Sequence, residues 1–319
     1  MSQVPNEVIE LGRRLSNWGR WGADDEIGTL NHITAESRVA AAASIRTGAV
    51  FSLAIPLDGR GPQNGLRPNP IHCMMATGSD DVPSIAFESG ARFTDDLMTL
   101  YLQSSTQWDA LAHVYYDDQL YNGFSARSVD SRGAHKDGID KTCSKYVGRG
   151  ILLDAARWRE VDRIPPNERL TGSDLDAIAR SQGVELRSGD IILLRTGLMS
   201  TWVENGNWSE FHKPQGGLHY TAAEWLHDHQ IAAIAADNTA VEAQVPIVID
   251  AKGHSTSPER LWFHMIVQRD MGMCLGELWF LEELATDCAA AGTYDCFLSA
   301  PALRVTGGVG SPLNPVALR

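Results

Sequence analysis

Apolar residues fall along this chain in two patterns. Short consecutive runs, GILLDAA (150–156), DIILLRTG (190–197) and QIAAIAADN (230–238), predict strands buried on both faces. Between them lie Ser173-Asp174-Leu175-Asp176 and Thr221-Ala222-Ala223-Glu224, each a hydroxyl followed three residues later by an acid. That pattern predicts helix N-termini, because the two side chains satisfy free backbone N–H groups. Strands alternating with helices predict an α/β protein, read as a single domain over residues 1–319. Val8, Ile9, Leu11 and Leu15 form an amphipathic start. With the loop-rich NWGRWGADDEIGTLN they predict that residues 1–35 pack on the body. Residues 56–70, dense in Gly and Pro, predict an irregular surface loop that either borders a pocket or simply connects.

Two polar clusters interrupt the apolar pattern. Gln103 to His113 places two amides, a carboxylate and an imidazole in a short stretch. Fully extended, its ends would lie about 33 Å apart, so a shared site requires a turn or helix here. Further on, Ser257 and Pro258 suit the cap and first position of a helix carrying His264 in its middle and ended by Gly272. Met273 to Trp279 predicts a strand that buries Glu277. On one continuous helix His264 and Glu277 would sit on nearly opposite faces, whereas a helix–turn–strand unit can bring them together. Asp237 and Glu242 follow a predicted strand, where α/β proteins gather ligand groups, although capping is the commoner use of such acids.

Composition narrows the function classes. A net charge of −13 without a Lys/Arg stripe disfavours nucleic acid, and no apolar run is long enough to span a bilayer. The amino terminus lacks a secretion-signal pattern, and the five cysteines form no C-x-x-C pair. Both features predict a cytoplasmic protein with free, mostly buried thiols. The G-x-x-x-x-G-K-[ST], G-x-G-x-x-G and G-x-S-x-G motifs are absent, which argues against nucleotide-binding and serine-hydrolase chemistry.

The two clusters resemble the cyclase family, which includes bacterial kynurenine formamidase, isatin hydrolase and trans-dienelactone hydrolase. The family signature is approximately H-x-G-T-H-x-D-x-P-x-H, followed far downstream by a histidine and then a glutamate. The matching residues are Gln103-Ser-Ser-Thr106-Gln107-Trp-Asp109-Ala-Leu-Ala-His113, then His264 and Glu277. RWGADDEIGTLN, GRGILLD, SGDIILLRTG and GSPLNP extend the likeness over most of the chain, toward the longer branch of the family.

The resemblance implies the swivelling β/β/α fold, with a mixed central sheet flanked by helices. It also implies a hydrolase of small, often cyclic amides, lactams, imides or lactones. One divalent metal ion (Mn, Zn or Mg) would be held by Asp109, His264 and Glu277, assisted by Gln107 or Gln103, with His113 transferring protons. A homodimer or homotetramer is likewise implied. Gln103 and Gln107 stand where the family has ligand histidines, and a glutamine carbonyl suits Mn or Mg better than Zn. Leu111 takes the usual proline position.

Two other readings stay open. In one, a pseudoenzyme has lost its metal ligands and only binds a small molecule. In the other, Asp109 and His113 act as a metal-free acid/base pair, which lacks an identifiable oxyanion stabiliser. Trp18, Trp21, Trp108 and Tyr115 could stack on an aromatic substrate or serve as packing, and His72 could line the pocket.

Overall fold

The apolar runs do form the centre of a sheet. In a computed structural model, which describes residues 4–63, 67–80, 90–244 and 261–319, the strands Val147–Asp154, Ile191–Arg195, Ala233–Ala236 and Leu275–Glu277 lie side by side in parallel. Their side chains alternate between two cores. Ile151, Leu153, Ile192, Leu194 and Ile234 enter one, while Leu152, Ile191, Leu193, Ala233 and Ala235 enter the other. With a core on each face, both sets of side chains are buried, which explains the unbroken apolar runs.

Among the described residues, antiparallel strands complete a mixed, nine-stranded sheet. Asp295–Ser299, Val316–Leu318 and Val50–Ser52 extend it from Val147–Asp154. At the other end Gln107–Asp109 pairs with Leu275–Glu277, and Gly310–Pro312 pairs with Gln107–Asp109. Helices Gly172–Ser181 and Ala222–Asp228 cover the first core with Leu175, Ile178, Trp225 and Leu226. Helix Glu282–Ala291 covers the second with Leu284, Ala285 and Cys288. Among the described residues no helix is long and apolar enough to cross a membrane.

Several boundaries differ from the sequence expectation. Ala155 and Ala156 leave the strand for a short helix capped by Asp154, whose carboxylate accepts from the Arg157 N–H. The helix expected to start at Ser173 starts earlier, because Thr171 and Asp174 form the capping box. Thr221 precedes its helix as expected, but its hydroxyl is shared with His219 Nδ1 at 2.8 Å and does not cap. The Ser257–Pro258 cap lies outside the described residues.

The amino-terminal segment is tied to the element that carries His264. Helix Asn6–Arg14 buries Val8 and Leu11, and Leu15 follows it into the same core. Asn17 Nδ2 donates to the Met271 carbonyl at 2.9 Å, and Trp18 Nε1 donates to that of Arg269 at 2.7 Å. Gly28 passes so close to Gly272 that a Cβ there would lie 1.9 Å from the Gly272 oxygen. With φ at +53°, the position needs glycine on both counts.

Candidate metal centre

The strand Gln107–Asp109 sets the geometry of the site. Strand alternation sends Gln107 and Asp109 to one face and Trp108 to the other. Trp108 is fully buried, stacks on Tyr146 with ring centroids 4.5 Å apart, and donates from Nε1 to the Ala300 carbonyl. It is therefore a core residue, which corrects its assignment as a substrate contact. After Asp109 the chain turns, closed by the His113 N–H on the Ala110 carbonyl at 3.0 Å. That turn brings His113 Nε2 to 3.9 Å from Asp109 Oδ1.

The paired strand supplies Glu277, and a helix supplies His264. This helix begins at Trp262 and widens into a π-helix over Met265–Asp270, so His264 lies in its first turn rather than its middle. Gly272, at φ +71°, follows its end as expected. Asp109, His264 and Glu277 are all buried, and each offers a ligand atom within 4.8 Å of the others. The helix–turn–strand unit thus closes the gap that one straight helix would leave.

Glu242 organises this centre. Its Oε1 lies 2.5 Å from His264 Nδ1, and the same carboxylate accepts from the backbone N–H groups of Phe263 and His264. It caps the helix and orients the imidazole together, which leaves Nε2 facing Glu277 Oε1 at 3.2 Å. Burial alone would lower the His264 pKa, but the two carboxylates outweigh it and raise it to about 10. Burial is also the main cause lifting Asp109 to about 6, opposed by His113 and reinforced by Glu277. His113 is pulled below its ordinary value by burial, with Asp109 opposing.

Backbone strain gathers around the same residues. Val241, Leu261 and Leu278 all have φ near +60°, next to Glu242, the His264 helix and Glu277 respectively. Buried Asn238 holds two of them, since its Oδ1 accepts from the Val241 N–H and its carbonyl from the Leu278 N–H. Gln268, on the π-helix, accepts the Val114 N–H at 2.9 Å and so fixes the chain just after His113. Asp237 is engaged by the loop ahead of a helix, accepting from the backbone N–H and hydroxyl of Thr196 and from the Gly197 N–H.

Gln107 Nε2 donates to Glu277 Oε2 at 2.8 Å and to Asp109 Oδ1 at 3.3 Å. Its own Oε1, together with Asp109 Oδ2, Gln103 Nε2 and the Ser104 and Ser105 hydroxyls, is buried without a partner. Buried polar atoms normally find partners, so five such atoms in one stretch mark a place completed by another molecule or ion. Gln103 Nε2 packs against Gly310, the strand partner of Asp109. The Gly/Pro-rich loop borders this stretch, for Gln63 Nε2 and Arg67 Nη1 donate to the carbonyls of Ser104 and Gln103 at 3.2 and 3.4 Å.

The remaining aromatic and histidine assignments lie outside the cluster. Trp21 meets His32 edge-on and Arg20 over its face, Tyr115 is exposed, and His72 is engaged by Asp96 at 2.7 Å. Sequence reasoning missed the parts played by Asn238 and Gln268, and left Glu242 between ligand and cap. The available signals were a buried acid just beyond a strand end and a glutamine one turn after His264.

Fold and site define an α/β protein with a buried imidazole and two carboxylates arranged as metal ligands. The Cyclase family model matches residues 31–243, and the chain belongs to that family. A solved structure described as a novel cyclase is 41% identical, with a TM-score of 0.86, covering 95% of this chain and 99% of that one. Isatin hydrolase A from Ralstonia solanacearum is 19% identical (TM-score 0.61), with 90% and 98% of the two chains covered. A predicted metal-dependent hydrolase from Bacillus stearothermophilus is 15% identical (TM-score 0.51), with 85% and 98% covered. The last two likenesses are of fold alone. A sequence comparison with curated proteins finds no match.

Proposed function

We propose that the protein is a metal-dependent hydrolase that opens a small, cyclic amide, lactam, imide or lactone. The carrying observation is the buried convergence of Asp109, His264 and Glu277, with Asp109 Oδ2 and Gln107 Oε1 unpaired beside them. One imidazole and two carboxylates fit a divalent Zn, Mn or Mg ion, and the Glu242–His264 contact is the support a metal-binding histidine needs. Isatin hydrolase and a predicted metal-dependent hydrolase among proteins of this fold support the reaction class.

A divalent ion held here supplies a Lewis acid that polarises a carbonyl and makes water more acidic. Asp109 and Glu277 provide the negative charge that retains it, and Glu242 keeps His264 Nε2 directed inward. His113, 20% exposed and beside Asp109, accepts the proton of the attacking water at Nε2 and returns it to the leaving nitrogen or oxygen.

One observation favours a second reading, a binding protein without catalysis. The Gln107 amide already donates to both carboxylates, which partly satisfies the site without an ion. Elemental analysis of protein purified without chelators, joined to melting curves with added Mn, Zn or Mg, separates the two. The hydrolase reading expects bound metal that is lost in Asp109→Ala and His264→Ala, and a rise in melting temperature on loading. No metal and no thermal response would leave the binding-protein reading or metal-free chemistry by Asp109 and His113.

A further inference from the structure

The unpaired groups around the metal-ligand cluster are of two kinds. Gln107 Oε1 and Asp109 Oδ2 are acceptors and suit a cation. Gln103 Nε2 is a donor and the Ser104 and Ser105 hydroxyls can donate, and all three are buried without a partner. The Gln103 amide lies on the ligand face of the sheet. Gly310 pairs with Asp109, so a side chain at position 310 would share the face of Asp109, and Gln103 Nε2 sits 2.4 Å from where that Cβ would be. Glycine at 310 leaves the room that the amide occupies.

Arg67 adds a positive charge to these donors. Its half-buried side chain reaches the Gln103 carbonyl from Nη1 at 3.4 Å, and among the described residues it has no carboxylate partner. Its charge is nevertheless felt at the centre. Burial is the main cause lowering the His113 pKa, Asp109 opposes, and Arg67 adds to the lowering, while at Asp109 it opposes the rise that burial causes. A guanidinium fork with neutral donors beside it matches the paired oxygens of a carboxylate. We infer that Arg67, Gln103 and the two serines form an anion subsite beside the metal-ligand cluster, and that the compound opened here carries a carboxylate close to its scissile bond. Arg67 is one cation near three acids, Asp109, Glu242 and Glu277, so a monoanion fits this place better than a phosphate dianion. The inference rests on the hydrolase reading for the bond that breaks, but not for the binding of the anion.

Isothermal titration calorimetry on the protein as purified tests it. The probes are pyroglutamate, a lactam, and phthalide-3-carboxylate, a lactone, each compared with its primary carboxamide. At least one acid is expected to bind tighter than its carboxamide by about 10-fold or more. Arg67→Met should bring the two affinities of that pair together while the carboxamide binds as before, and Arg67→Lys should restore part of the preference. A protein without bound metal that still prefers the acid keeps the subsite and loses the metal chemistry. Metal binding and hydrolysis without that preference keep the chemistry and lose the subsite. A smaller preference, one that survives Arg67→Met, an equal loss of both affinities in that variant, or no binding of either acid would overturn the proposal.

Discussion

Glu242 Oε1 lies 2.5 Å from His264 Nδ1 while the same carboxylate accepts the Phe263 N–H at 3.2 Å, so one acid fixes both the helix start and the imidazole. Glu242→Gln should keep the cap but lose the charged partner. Metal affinity is expected to fall about 10- to 100-fold, read by competition with a chromophoric chelator. A change within about threefold would show that His264 binds without this support.

Gln107 provides the donor between Asp109 and Glu277. Gln107→Leu removes it and leaves two buried carboxylates facing each other. The metal-free protein is expected to lose about 1–3 kcal/mol in urea unfolding, and added divalent ion should raise its melting temperature more than it does for the wild type. Equal stability of the two metal-free proteins would mean that the amide is dispensable there.

His113 sits where a proton could pass between the cluster and solvent. His113→Ala should lower kcat by about 10²- to 10⁴-fold while metal content and melting temperature hold. Full turnover in the variant would remove the residue from the chemistry, and loss of metal would make it a structural partner of Asp109.

The central strands were legible because a strand with a core on both faces leaves no place for polar residues, as Ile151 to Leu153 and Ile191 to Leu194 show. Asp109, His264 and Glu277 were legible through motif spacing, with local geometry adding that a turn must intervene. Other features were out of reach for physical reasons. The left-handed backbone of Val241 and Leu278 opposes local preference; the Asn238 side chain holds Val241 locally, but its carbonyl holds Leu278 from far along the chain, a contact with no local pattern. Trp108 was misread because its sequence neighbours are polar. Strand alternation sends those neighbours into the site and the indole into the core, and that becomes visible only once the strand is known.

Asp137 gives a prediction about pH. Its carboxylate is buried with both oxygens unpartnered, and burial followed by the nearby Glu26 and Asp25 raises its pKa from 3.8 to about 8, with Lys136 opposing. Tyr121, which donates to Asp25 at 3.0 Å, faces the same acids and stays protonated there. The folded state therefore holds a proton that the unfolded chain has already released. Between the two pKa values the native state binds more protons, so stability falls as pH rises through this window, and the penalty is complete above about pH 8. Asp137→Asn keeps the side chain neutral throughout, and asparagine tolerates the φ of +58° found here. The variant is expected to match the wild type near pH 4 and to be more stable by about 1–3 kcal/mol near pH 9, measured by urea unfolding at both values. A gain of equal size at both pH values would assign the effect to packing, and no gain at pH 9 would show that the ionised carboxylate finds a partner.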